Sequence, residues 1–121
     1  MSNLAERRSR IVRVRQTEHR VARAKLATAE ATLANLDRIS GRISGLRASL
    51  RPEAEQTTGL ALKSMAEMAL RLDSAQCDLA APIRGAEHDR VRSMAERLAA
   101  KSREEGAEKL REKAQRTEIR E

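Results

Sequence analysis

The chain contains no phenylalanine, tryptophan or tyrosine. Aromatic rings normally supply much of the area that a globular core buries, so a thick interior is excluded. Leu, Ile, Val, Met and Ala remain, and these suffice for a narrow seam between two helices. Proline occurs twice and glycine five times in 121 residues, which leaves long stretches free of helix breakers. The one cysteine, Cys77, has no partner for an internal disulfide, as suits a reducing compartment. No apolar run approaches the roughly 20 residues that span a bilayer. The opening Met-Ser-Asn-Leu-Ala-Glu-Arg-Arg-Ser-Arg develops no apolar core of a signal peptide. These features lead to the expectation of a cytoplasmic protein, peripheral to a membrane at most.

Charge is abundant. Asp, Glu, Lys and Arg make up 36% of the residues, and the composition is rich in Ala, Arg, Leu and Glu, the mixture of long helices and coiled coils. All four are strong helix formers. A mean hydropathy of −0.66 makes intrinsic disorder the competing reading. The regular apolar spacing argues against it. The net charge of +7 is unevenly placed: residues 1–50 hold 11 basic and 4 acidic side chains, residues 51–121 hold 14 of each. Arg7, Arg8, Arg10, Arg13, Arg15, Arg20, Arg23 and Lys25 meet only Glu18 within their own stretch. Such a helix repels itself unless a partner, an acidic neighbouring helix or salt relieves it. Glu104, Glu105, Glu108, Glu112, Glu118 and Glu121 offer one internal source of relief. The plainer reading is a solvated charged face.

The first helix is expected over about 3–50, capped by Asn3 with Glu6 three residues on. Its apolar positions are Leu4, Ile11, Val14 and Val21, then Ala22, Leu26, Ala29, Leu33 and Leu36, and from Leu36 onward Ile39, Ile43, Leu46 and Leu50 in steps of three and four. A register shift, or stutter, is expected near residues 33–39. Gly41 and Gly45 each cost about 1 kcal/mol relative to alanine, and would let another backbone approach. Arg51-Pro52 marks a turn at about 51–58, with Thr57, Thr58 and Gly59 as a second restart point. The second helix is expected over about 59–119, through Leu62, Met65, Met68, Leu72, Ala75, Leu79, Ile83, Val91, Met94, Leu98, Leu110 and Ile119, with a kink or break at Pro82. The fold expected is therefore all-α: two long helices in one antiparallel coiled-coil hairpin, the second longer. With the pivot near residue 54, position i faces roughly 108 − i. The paired part is then about 70 Å long, and a polar overhang of about 20 Å covers residues 105–121.

No catalytic constellation emerges, and the protein is expected to be no enzyme and to need no cofactor or small-molecule substrate. His19 would face a position near 89, so it could meet His88, but with Cys77 eleven residues away no zinc-ligand spacing exists. Cys77 reads as a small residue at the seam or its flank. No glycine-rich phosphate loop is present. Met65, Met68 and Met94 read as seam fillers sooner than as an adaptable binding face.

The basic block Leu-Ala-Glu-Arg-Arg-Ser-Arg-Ile-Val-Arg-Val-Arg leads into an Ala/Leu-rich helix, a bend, and a second helix ending Glu-Lys-Leu-Arg-Glu-Lys-Ala-Gln-Arg. In size, hairpin layout and basic first helix the chain resembles the FliJ/YscO group, the central stalk proteins of flagellar and virulence type III export systems. The resemblance implies that the end carrying both termini enters the ring of a hexameric export ATPase and the bend end approaches an export gate protein at the membrane. It would place Arg7, Arg8, Arg10, Arg13, Arg15, Lys109, Arg111, Lys113 and Arg116 at the ring, and Ile39, Ile43, Leu46, Leu62, Met65 and Met68 at the gate. The sequence lacks the aromatic residues that relatives often carry near the gate end, and it is short for the group. Two other readings stay open. A pI near 10.7 suits a nucleic-acid-associated protein, although no stacking aromatics or reading motif accompany it. Soft points at Gly41, Gly45 and Pro82 suit a self-assembling scaffold or coiled-coil chaperone, with a homodimer as one form.

Overall fold

The computed structural model describes residues 2–51 and 58–120, excepting the side chain of Ser2. Two helices account for nearly all of them: α1, Ser2–Ser49, and α2, Gly59–Arg120. The helices pack against each other and, among the described residues, no strand is present. Most of the turn expected at 51–58 falls on residues 52–57, outside the described residues.

The ends follow from local chemistry. Helix α1 begins at Ser2, so Asn3 lies inside the first turn and is not the expected cap. At its other end Leu50 N–H donates to the Arg47 carbonyl and Arg51 N–H to that of Ser49. The Ser49 hydroxyl donates to the Leu46 carbonyl at 2.8 Å. These short-range bonds satisfy carbonyls that the helix leaves open, and Arg47 adds a cation where the helix dipole is negative. Helix α2 is capped by Thr58, whose Oγ1 accepts the Ala61 N–H at 3.1 Å. It continues helical through Pro82, so the proline does not break it. Pro82 is exposed, where water can serve the carbonyl that its missing N–H leaves unpaired.

The chain divides into two compact units. Unit 1 comprises residues 1–29 and 89–121, unit 2 residues 30–88.

In unit 2 the half-buried positions on the α1 side are Leu33, Leu36, Ser40 and Ile43 of α1, and Leu50 just past its end. The first four are spaced three, four, three, so no stutter occurs over 33–39. Facing them on α2 are Met65, Leu72, Gln76, Leu79 and Ile83, with Ala86 buried. Ile39 and Leu46 fall to one flank and are exposed. Ser40 takes the seam position beside Ile39 because its hydroxyl accepts the Gln76 Nε2 donor at 2.7 Å. Arg47 and Asp73 form an ion pair at 3.0 Å, both about half exposed, which makes it worth at most about 1 kcal/mol.

In unit 1 the seam differs from the expected one. On α1 it follows Ala5, Arg8, Val12, Arg15, His19, Ala22, Leu26 and Ala29; on α2 it follows Ser93, Arg97, Ala100, Glu104, Ala107, Arg111, Ala114 and Glu118. Both sets step by three and four, the spacing of a coiled-coil seam. The expected stripe of Leu4, Ile11, Val14 and Val21 lies one residue off this line and is about half exposed. Alanine is the reason. Ala22, Ala100, Ala107 and Ala114 are buried, and the long stems of Arg8, Arg15 and Arg97 cover the gaps between them, with the Nε atoms of Arg8 and Arg97 shielded from solvent. Leu4, Ile11, Val14 and Val21 are thereby left beside the seam, while Ala22, Leu26 and Ala29 of the expected stripe lie in it.

The register differs as well. His19 meets Glu104, not a position near 89. Residues 105–121 are no unpaired overhang either: Ala107 and Ala114 are buried, and Glu118 shares a groove with Ala5, Glu6, Ser9, Arg10 and Arg13. The partner of His19 lies fifteen positions further along α2 than the sequence suggested.

Gly41 and Gly45 sit in the exposed, helical part of α1. Nothing lies within 4 Å of a Cβ built on either, so neither glycine serves a close backbone approach. Changing both to alanine is expected to stabilise the protein by roughly 1–2 kcal/mol, because the unfolded chain loses freedom and nothing clashes. Urea unfolding followed by circular dichroism checks this; a destabilised double variant contradicts it.

Candidate partner-binding surfaces

All nine basic residues assigned to a ring end lie in unit 1, seven of them in three groups. Arg7 and Arg8 line a groove with Leu4, Ile11, Ala107 and Leu110. Arg10 and Arg13 border the groove that holds Glu118. Lys109, Lys113 and Arg116 border a third depression with Glu112, Thr117 and Arg120, formed by α2 alone. Arg15 and Arg111 stand apart. Arg15 is half-buried and its Nη1 donates to Glu18 at 2.9 Å; Arg111 is half-buried on the α2 seam. These two are committed to packing, whereas Arg7, Arg10, Arg13, Lys109, Lys113 and Arg116 are exposed.

The charge of the two units is unequal. Unit 1 holds 18 Lys and Arg against 10 Asp and Glu; unit 2 holds 7 against 8. The C-terminal glutamates relieve only part of the excess, since Glu104 is engaged with His19 inside the seam.

The six residues assigned to a gate end all lie in unit 2. Ile39, Leu46, Leu62 and Met68 are exposed; Ile43 and Met65 are half-buried. Ile43 lines a cavity of about 460 Å³ with Leu50, Leu72, Gln76 and the Arg47–Asp73 pair. Two of the most exposed large apolar side chains, Leu60 at 76% and Leu70 at 70%, belong to the same unit. Sequence reasoning passed over both because they stand off the apolar stripe. An off-stripe leucine on a helix was the signal available.

Cys77 is exposed, so it is not packed in the seam. Among the described residues no group of three or more His, Cys, Asp or Glu is placed to hold a metal ion. Among them, too, no helix is long and apolar enough to cross a membrane. Comparison with models of protein families, with characterised proteins and with solved structures gives no match.

Proposed function

We propose that this protein is a non-enzymatic coiled-coil component of a bacterial flagellar or type III export apparatus, a cytoplasmic stalk that binds the export ATPase ring and couples it to the gate. Its two helices form an antiparallel coiled coil, kinked at Pro82. The pairs Arg47–Asp73 and Ser40–Gln76 in unit 2 support the direction of pairing, as rising numbers on α1 meet falling numbers on α2. The observation that carries the functional reading is the excess of basic over acidic side chains in unit 1, the unit holding both chain ends, while unit 2 is close to neutral and exposes leucines. A ring lumen lined with carboxylates would accept the first, and an apolar gate surface the second.

Arg7→Glu, Arg8→Glu and Arg13→Glu combined are expected to abolish co-purification with a hexameric export ATPase and any effect on its ATP turnover, with helicity retained. Retained association removes the ring assignment. A titration against duplex DNA over a salt series separates the nucleic-acid reading: micromolar affinity with a steep salt slope would favour it.

A further inference from the structure

One groove of unit 1 combines two kinds of surface that seldom adjoin without a purpose. It has a volume of about 320 Å³ and is lined by Leu4, Arg7, Arg8, Ile11, Ala107 and Leu110. Leu4, Ile11 and Leu110 are each about half exposed, and Ala107 is buried beneath them. Arg7 is exposed beside the groove. The Nε of Arg8 is shielded from solvent and has no hydrogen-bond partner. Leu4 and Ile11 are seven residues apart on one helix, the repeat with which a second helix lays its own apolar side chains.

We propose that this groove docks an amphipathic helix of another protein, with leucine or isoleucine against Leu4, Ile11 and Leu110 and with Asp or Glu placed to meet Arg7 and Arg8. This deepens the reading of unit 1 as a protein-binding end and rests on that part of it, whichever protein supplies the helix.

Charge selects this occupant over the alternatives. A second copy offering its unit 1 would bring together two faces that each carry 18 basic against 10 acidic residues. A second copy offering unit 2, with 7 basic against 8 acidic residues, would bring almost no net charge to answer the guanidinium groups. A nucleic-acid backbone would satisfy the guanidinium groups but leave three aliphatic side chains against sugar and phosphate, with no aromatic ring to stack a base. An acidic amphipathic helix answers both halves of the groove: its aliphatic stripe removes the three side chains from water, and its carboxylates accept charge-assisted hydrogen bonds from guanidinium groups.

The test uses the full chain and two synthetic helical peptides of about three heptads, leucine at the core positions and either Glu or Lys at the flanking ones. Fluorescence anisotropy is expected to show the Glu peptide binding at least about tenfold more tightly than the Lys peptide. Leu110→Ser and, separately, Arg7→Lys with Arg8→Lys are each expected to weaken it by about fivefold or more. Leu70→Ser in unit 2 is expected to leave binding unchanged, and circular dichroism to show all variants helical. Equal binding of the two peptides overturns the proposal, as does indifference to Leu110→Ser. So does a dimer in sedimentation that Leu110→Ser dissociates, or duplex DNA displacing the peptide while its own binding ignores that substitution. A chain that binds the Glu peptide but no export ATPase keeps this inference and loses the stalk; the converse result does the opposite.

Discussion

Val12→Asp is expected to destabilise the protein by about 3 kcal/mol, while Val14→Asp, two residues away, changes stability by no more than about 0.5 kcal/mol. The two valines are chemically identical and adjacent in the sequence pattern, so the difference is a statement about the seam. Val12 is fully buried, with 0% of its surface exposed; Val14 is exposed at 55%. A carboxylate at 12 must leave water or open the two helices of unit 1. Arg8 and Arg15, one turn to either side on the same face, offset part of that cost, which is why the lower end of the usual range applies. A carboxylate at 14 stays hydrated and lies among arginines. Urea unfolding of both variants measures the contrast, and equal losses would contradict the seam described here. Against a total stability of roughly 5–15 kcal/mol for small domains, a loss of this size removes about a fifth to three fifths of it.

The second large effect concerns the polar pair inside that seam. His19 Nδ1 and Glu104 Oε2 are 2.6 Å apart, and the two side chains are only 14% and 20% exposed. The other imidazole nitrogen, Nε2, is buried without a partner. Glu104→Ala therefore leaves a buried ring with neither nitrogen bonded, and is expected to cost about 1–3 kcal/mol. Replacing both, His19→Leu with Glu104→Leu, removes the polar groups together and is expected to be neutral or stabilising. A double-mutant cycle tests this, and additive losses would contradict it. The pair also has a use that stability alone does not register. Along α2 the seam repeats alanine at 100, 107 and 114, so sliding by one heptad would exchange like for like. The His19–Glu104 contact is lost on sliding, and a single polar contact of this kind fixes alignment in coiled coils. The double-leucine variant is accordingly expected to keep its helicity while spin-label distances across unit 1 broaden.

How far the sequence could be read varied along the chain, for physical reasons. The all-helical character and the two packed helices were legible because helix formers dominate and the breakers cluster near Pro52. The α2 seam of unit 2 was legible too, since Met65, Leu72, Leu79 and Ile83 are both the large apolar residues and the ones that face α1. Ser40 was not legible: a hydroxyl enters the seam only because Gln76 reaches it from the other helix, and hydropathy is blind to such a pairing. In unit 1 Ala22, Leu26 and Ala29 were legible from the apolar spacing, but Leu4, Ile11, Val14 and Val21 stand off the seam, where contact is made by Val12, by alanine and by the stems of Arg8, Arg15 and Arg97. The register was misplaced because residues near the connection say little about where pairing resumes. On the candidate surfaces, the basic cluster was visible as composition, but its joining with Leu110 across the two helices required the register. Leu60 and Leu70 were hidden by the assumption that exposed leucines belong to a stripe.

The docking groove needs Leu4, Ile11 and Leu110 to stand outside the two-helix contact of unit 1. Thiol labelling tests that most directly, in a Cys77→Ser background with single substitutions Ala100→Cys and Ile11→Cys. Ala100 is exposed at 2% and Ile11 at 49%. Labelling is expected to be fast at position 11 and slower by orders of magnitude at position 100, limited there by opening of the helices. Fast labelling at 100 together with protection at 11 in the free protein would place the seam on the aliphatic stripe and leave no surface for a partner.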